Sequence, residues 1–264
     1  MTVERAVYLT DIPDKFDPAG FDRLYFGAEF CEIKIPGVEE TAAASLTAAD
    51  SGLGFTLVTP YVTDRGLTLL RDVFLSLPAD RSIEVVCNDY GTMLQLRQER
   101  PDLTPVLGRL LSGQKRGFGI SSRKADAGPA LAEDWRASIF DSPILRKYLK
   151  DKGVGRVELD NLPQGMTSDF TDSGLTASLY APYGYVTTTR YCPFAFQDGR
   201  WLNIAGECGR VCRQGMIEET ADIFNRPVWV AGNAQFYENQ DIQSDEELTK
   251  QGFDRIVFEP SIPV

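Results

Sequence analysis

The stretch Ile83-Glu-Val-Val-Cys-Asn-Asp-Tyr-Gly-Thr-Met-Leu-Gln-Leu-Arg-Gln-Glu-Arg-Pro-Asp-Leu-Thr-Pro-Val-Leu107 sets two short apolar runs around one helical pattern. Ile83–Asn88 and Thr104–Leu107 are near-continuous in apolar residues, as expected of parallel strands buried on both faces. Thr92–Arg100, closed by Pro101, reads as the helix between them. A strand, a helix and a second strand in close succession are the repeating unit of α/β folds.

Outward from this unit the same alternation continues. Strand candidates lie at Ala6–Thr10, Arg23–Gly27, Gly54–Thr59, Arg156–Asp160, Ala177–Ala181, Val228–Ala231 and Arg255–Phe258. In Asp64–Leu77, Leu67, Leu70, Val73, Phe74 and Leu77 share one side of a 3.6-residue period. Ser142-Pro143 opens a second helix, with Lys150 and Lys152 in its last turn and Gly153 as its exit. Glu218–Asn225 before Pro227 carries a weaker pattern of the same kind. Eight or nine strands alternating with helices over 264 residues predict an α/β fold, a (β/α)8 TIM-barrel-like single domain covering 1–264. A doubly wound open sheet fits the same periodicity. Two segments, about 111–141 and 182–215, are too long and irregular for plain connectors and read as long loops, functional or partly disordered. No Gly-rich dinucleotide fingerprint or P-loop is present.

Composition narrows the chemistry. The chain has 27 Lys and Arg against 38 Asp and Glu, a net charge of −11, which argues against a broad nucleic-acid footprint. There is no histidine. Its absence removes the Ser-His-Asp triad, the Cys-His pair and imidazole-dependent zinc sites, leaving proton transfer to Asp, Glu, Lys, Tyr, Cys or water. The first ten residues show no basic segment followed by an apolar one, and no stretch reaches the roughly 18 apolar residues of a membrane helix. The expected location is cytoplasmic, where five cysteines read as thiols, metal ligands or redox groups rather than disulfides.

Cys192, Cys208 and Cys212 are close in sequence, the last two in a C-x3-C spacing that lets two thiolates converge from one turn. Cys31 follows the second predicted strand and Cys192 follows the seventh, so in a parallel barrel both sit on loops of the same face. Four thiolates without imidazole suit a tetrahedral zinc or an iron–sulfur cluster, set against four unconnected thiols. Cys87, at the end of an apolar run, reads as a buried core thiol.

Gly27-Ala-Glu-Phe-Cys31, Val86-Cys-Asn-Asp-Tyr-Gly91, Val106-Leu-Gly-Arg-Leu-Leu111 with Gln114-Lys-Arg116, and Val157-Glu-Leu-Asp-Asn161 followed by the cysteine loop resemble the collagenase-like (unclassified) peptidase family. Within it they are most similar to the iron–sulfur branch of the ubiquinone-biosynthesis proteins UbiU and UbiV; tRNA-hydroxylating proteins are further members. The resemblance runs from the second strand to Asp254-Arg-Ile-Val-Phe-Glu-Pro260. It implies a barrel, a [4Fe–4S] cluster on Cys31, Cys192, Cys208 and Cys212, and oxygen-independent hydroxylation or a related redox modification of a small metabolite. It also implies a heterodimer with a same-family protein. The Cys192–Cys208 connection looks longer than in UbiV and the chain ends at the barrel, which leaves the branch and the substrate open. The family's peptidase label finds no support in the residues: without histidine, H-E-x-x-H or G-x-S-x-G, no standard proteolytic apparatus can be built.

Polar residues at predicted strand ends supply the candidate chemistry around such a centre. Asp89 and Asp160 are candidate acid–base groups, with helix capping or a salt bridge as the structural alternative. Arg109 is the candidate substrate-gripping cation, and Arg190, Arg210 and Arg213 flank the thiols. Lys115 and Arg116 read as a phosphate or partner contact, or as a solvated charge pair. Tyr180, Tyr183 and Tyr185 read as a shield or stacking surface, or as core. Two further functions remain at this level: a non-catalytic four-thiolate metalloprotein, zinc or structural cluster, serving as a binding or assembly subunit, and a tRNA-modifying protein, which the acidic balance disfavours.

Overall fold

Seven strands come first along the chain: β1 (Glu4–Leu9), β2 (Arg23–Gly27), β3 (Gly54–Thr59), β4 (Glu84–Cys87), β5 (Thr104–Leu107), β6 (Arg156–Asp160) and β7 (Thr176–Ala181). Six more follow: β8 (Tyr183–Thr188), β9 (Phe196–Gln197), β10 (Arg200–Trp201), β11 (Ile217–Glu219), β12 (Val228–Ala231) and β13 (Ala234–Glu238). The last is β14 (Phe253–Phe258). The structure, a computed structural model, describes residues 2–116, 128–197, 200–201, 208–220 and 226–264.

Strands β1 to β7 pair in sequence order, all parallel, and β14 pairs in parallel with both β7 and β1. That double pairing closes the sheet into an eight-stranded barrel and excludes the doubly wound alternative. Every barrel strand coincides with a run marked by the sequence, with ends shifted by no more than two residues. Val228–Ala231 is a strand as well, but it lies outside the barrel. It is β12 of an antiparallel sheet ordered β11-β12-β13-β8. This sheet is inserted between β7 and β14, and it packs on Phe30 and Ile262 through Tyr185, Ala231, Ala234 and Phe236.

Helices Val38–Asp50, Asp64–Ser76, Tyr90–Glu99 and Pro143–Asp151 fill connections on the outside. Ser142 caps the last of these by accepting from the Leu145 amide, and Gly153 leaves it at φ +73°. Three readings change. Glu218 and Glu219, expected in a helix, belong to strand β11, and the rest of that expectation, 221–225, lies outside the described residues. A short pattern carries little helical preference against a ready partner strand, here Val228–Ala231. The expected loop 182–215 contains β8, β9, β10 and two 3-10 turns, with 198–199 and 202–207 outside the described residues. Within 111–141 lie the short helix Pro129–Asp134 and a turn at Ile139–Asp141, while 117–127 lies outside the described residues.

The main apolar core sits between the strands and the helices. Inside the barrel a second layer, Ala6, Tyr8, Tyr25, Val58, Val86, Val106, Tyr180 and Val257, fills the lumen. Below it, Arg255 bridges Glu4 (2.5 Å) and Glu84 (2.5 Å) and donates to the Tyr25 hydroxyl (2.7 Å). The barrel is a packed solid, so chemistry is confined to its rims. Among the described residues no helix is long and apolar enough to cross a membrane.

Candidate functional site

The C-terminal ends of β1, β2 and β14 and the β12–β13 turn surround a cleft of about 750 Å³ that is open to solvent. Cys31, Cys192, Cys208 and Cys212 all line it. They come from three stretches of chain: the loop after β2, the start of the turn Pro193–Ala195, and the turn around Val211–Gln214. The Cys31 thiol feels the charges of Cys208 and Cys192, and Cys192 feels those of Cys212 and Cys208. Among the described residues no three His, Cys, Asp or Glu side chains are arranged to hold a metal ion, so the sulfurs share a cavity rather than a coordination sphere. Burial pushes the Cys31 thiol up to about 11 and raises that of Cys192. Deprotonation and metal uptake are one coupled event. The donor set, four sulfurs with Arg210, Arg213 and Lys34 on the same wall, fits a thiolate-held metal or cluster.

Backbone and charge fix the loop that carries Cys31. Gly27 ends β2 at φ +136°, and a Cβ there would stand 2.2 Å from the Val58 carbonyl oxygen. Gly27→Ala is therefore expected to cost at least ~1–3 kcal/mol, read as a lower denaturation midpoint. Two residues on, Glu29 is fully buried and receives Arg109 Nη2 at 2.7 Å. The same guanidinium reaches Asp160 at 2.9 Å and Glu259 at 2.6 Å, and lies 3.9 Å from the Tyr180 ring centroid. Asp160 also takes Arg116 at 2.5 Å. Three carboxylates thus share two cations, and burial raises both Glu29 and Glu259, the latter to about 8, against the pull of Arg109. On the other side of the loop, Asn233 donates to the Phe30 carbonyl (2.6 Å) and the Thr189 carbonyl (2.8 Å), stapling the Cys31 loop to the one leading into Cys192.

The sequence-predicted residues divide accordingly. Arg109 and Asp160 are fully buried and, like Asp89, do not line the thiol cavity. The first two anchor the Cys31 loop. Asp89 caps the helix Tyr90–Glu99, accepting from Gly91 (2.6 Å) and Thr92 (3.3 Å), and also from Val62 (3.2 Å). Arg116 is an internal ion-pair partner rather than a solvated charge. Tyr180 is lumen core, and Tyr185 packs on Phe30. Arg190 sits over Tyr61 and donates to the Val62 carbonyl, away from the cavity wall that Arg210 and Arg213 form. Cys87 is completely buried. Glu29, Asn233, Glu259 and Lys34 are the residues that sequence reasoning did not single out. The Gly232-Asn233 pair between two apolar runs is a hairpin signal that would have exposed β13 and its staple.

Glu158 occupies the lumen with one oxygen accepting from the Tyr180 hydroxyl (2.8 Å) and the other without a partner. Burial raises it from 4.5 to about 8, the hydrogen bond from Tyr180 opposes the rise, and the charge on Glu29 adds to it. The folded protein thus holds this proton where the unfolded chain has released it, so its stabilising effect is complete below about 4.5 and is lost as pH climbs to about 8. Glu158→Gln is expected to make melting temperature fall less steeply between pH 5 and 8, roughly the window set by the two states.

Fold and site together define a class: a closed parallel β-barrel with four thiols gathered at its C-terminal mouth. No family model and no curated protein sequence matches the chain. Among solved structures it is similar to the U32 peptidase Mk0906, with 14% identity and a TM-score of 0.44 over all of this chain and 95% of the other. It is also similar to a class V chitinase mutant from Cycas revoluta, with 11% identity and a TM-score of 0.38 over 98% of this chain and 94% of that one. These likenesses carry no functional weight, and the barrel rests on this chain's own strand pairing.

Proposed function

We propose that this barrel holds a [4Fe–4S] cluster on Cys31, Cys192, Cys208 and Cys212. Its role would be oxygen-independent hydroxylation, or a related redox modification, of a small metabolite. The observation that carries the reading is the gathering of four thiols, from three stretches of chain, around one cavity at the barrel mouth. An all-sulfur donor set suits an iron–sulfur cluster or zinc, and the resemblance of the cysteine-bearing segments to UbiU and UbiV favours the cluster. When bound, the cluster would supply one-electron chemistry. The chain's own residues do the rest. Arg210, Arg213 and Lys34 offset the negative charge that four thiolates bring. Arg109 through Glu29, and Asn233 through the Phe30 carbonyl, hold the Cys31 loop in place. Ala28, Phe30 and Val264 give the cavity an apolar wall. A same-family partner subunit belongs to the same proposal.

Anaerobic purification followed by iron, acid-labile sulfide and zinc analysis tests it. About four irons and four sulfides per chain are expected. Stoichiometric zinc without iron would replace the cluster by a four-thiolate zinc centre, and saturable binding of labelled tRNA at moderate salt would move the substrate class to nucleic acid.

A further inference from the structure

A second cavity, of about 710 Å³ and open to solvent, shares Thr10, Asp11, Lys34, Arg210 and Arg213 with the thiol cavity, so the two adjoin at these residues. Three cations stand at the junction in a chain whose net charge is −11. Their own partners leave them available. Among the described residues Lys34 has no carboxylate within ion-pairing distance. Arg213 meets Asp11 only at 3.4 Å, with both side chains more than half exposed, a pairing of little strength. Arg210 uses one nitrogen on the Ile33 carbonyl at 2.9 Å. Its backbone is left-handed at φ +55°, a conformation that an L-residue keeps only where its surroundings hold it. Of the carboxylates in the second cavity, Glu40 is engaged by the Gly37 amide at 2.8 Å, which leaves Asp11 as the competitor for the cations. Ile12 and Ala43, both accessible to solvent, give the same cavity apolar surface.

We infer that this junction binds an oxyanion, a carboxylate or phosphate carried by a small metabolite. The apolar body of that metabolite lies against Ile12 and Ala43, and its reacting end extends into the thiol cavity. The direction of that reacting end rests on the function proposed above; the anion site does not. Guanidinium and ammonium groups recognise such oxyanions through charge-assisted hydrogen bonds, and an apolar wall with few convergent charges is the usual make-up of a small-molecule site.

Isothermal titration of the full chain with inorganic phosphate and with malonate, at constant ionic strength set by chloride, tests the site. Saturable binding of at least one anion is expected, and the tighter of the two identifies the headgroup. Lys34→Met with Arg213→Gln should weaken it by roughly tenfold or more, the worth of a lost charge-assisted hydrogen bond. Asp11→Asn should tighten it by about two- to fivefold, a gain that misfolding cannot produce. Absence of saturable binding by both anions, or unchanged affinity in the double variant, overturns the inference. Metal analysis on the same preparations keeps the two readings apart. Anion binding by protein that takes up no iron would leave this site standing and remove the proposed function, whereas iron uptake without anion binding would do the reverse.

Discussion

Arg109→Met is expected to lower stability by about 3–5 kcal/mol, read as a drop in the denaturant midpoint. The guanidinium has no exposed surface and serves three carboxylates that have none either. Removing it leaves Glu29 and Glu259 without a cation and Asp160 with Arg116 alone. Burying a charge without its partner is among the costliest changes a core can undergo. Arg109→Lys should recover only part of the loss, because a single ammonium cannot reach three carboxylates set in three directions. The damage should extend to the site, since Glu29 stands two residues from Cys31. A midpoint within about 0.5 kcal/mol of the natural protein would mean that the carboxylates are neutral and the guanidinium dispensable.

Cys192→Ala is expected to abolish most iron and sulfide uptake, with the same result for Cys31, Cys208 and Cys212 taken singly. Cys87→Ala should keep the full metal content, because that thiol is buried in the core between strand and helix, far up from its ordinary pKa through burial, and does not line the cavity. The comparison controls for the general cost of losing a cysteine. A Cys192→Ala protein with undiminished iron would overturn the ligand set.

The barrel was legible because its strands are buried on both faces and so appear as unbroken apolar runs, Leu24–Gly27 and Val85–Cys87 among them. The inserted sheet was hard to see because its strands follow a different rule. Only Pro182 separates the end of β7 from Tyr183–Thr188, so the two strands merge into one aromatic-rich run. Ile217–Glu219 is exposed throughout and carries no buried pattern to read. At the site, the cysteines stood out by residue type alone, whereas the groups that set their loop in place did not. Glu29, Arg109, Asp160 and Glu259 form one buried ionic knot although up to 230 positions separate them, and only the closed barrel brings their strand ends together. Strand-end position marked Arg109 and Asp160 as noteworthy. It could not say whether they faced a ligand or each other.

The β8–β13 excursion has a bearing on how such a site could be rebuilt. Because β14 returns to pair with β7 and β1 in the same barrel, the chain from β8 to β13 is topologically a graft on a scaffold whose strands close without it. Three of the four sulfurs ride on that graft and one stays on the scaffold. Transplanting it into another eight-stranded host would therefore carry most of the proposed ligand set in a single cut, and the recipient would need to offer only one cysteine, placed beyond its second strand.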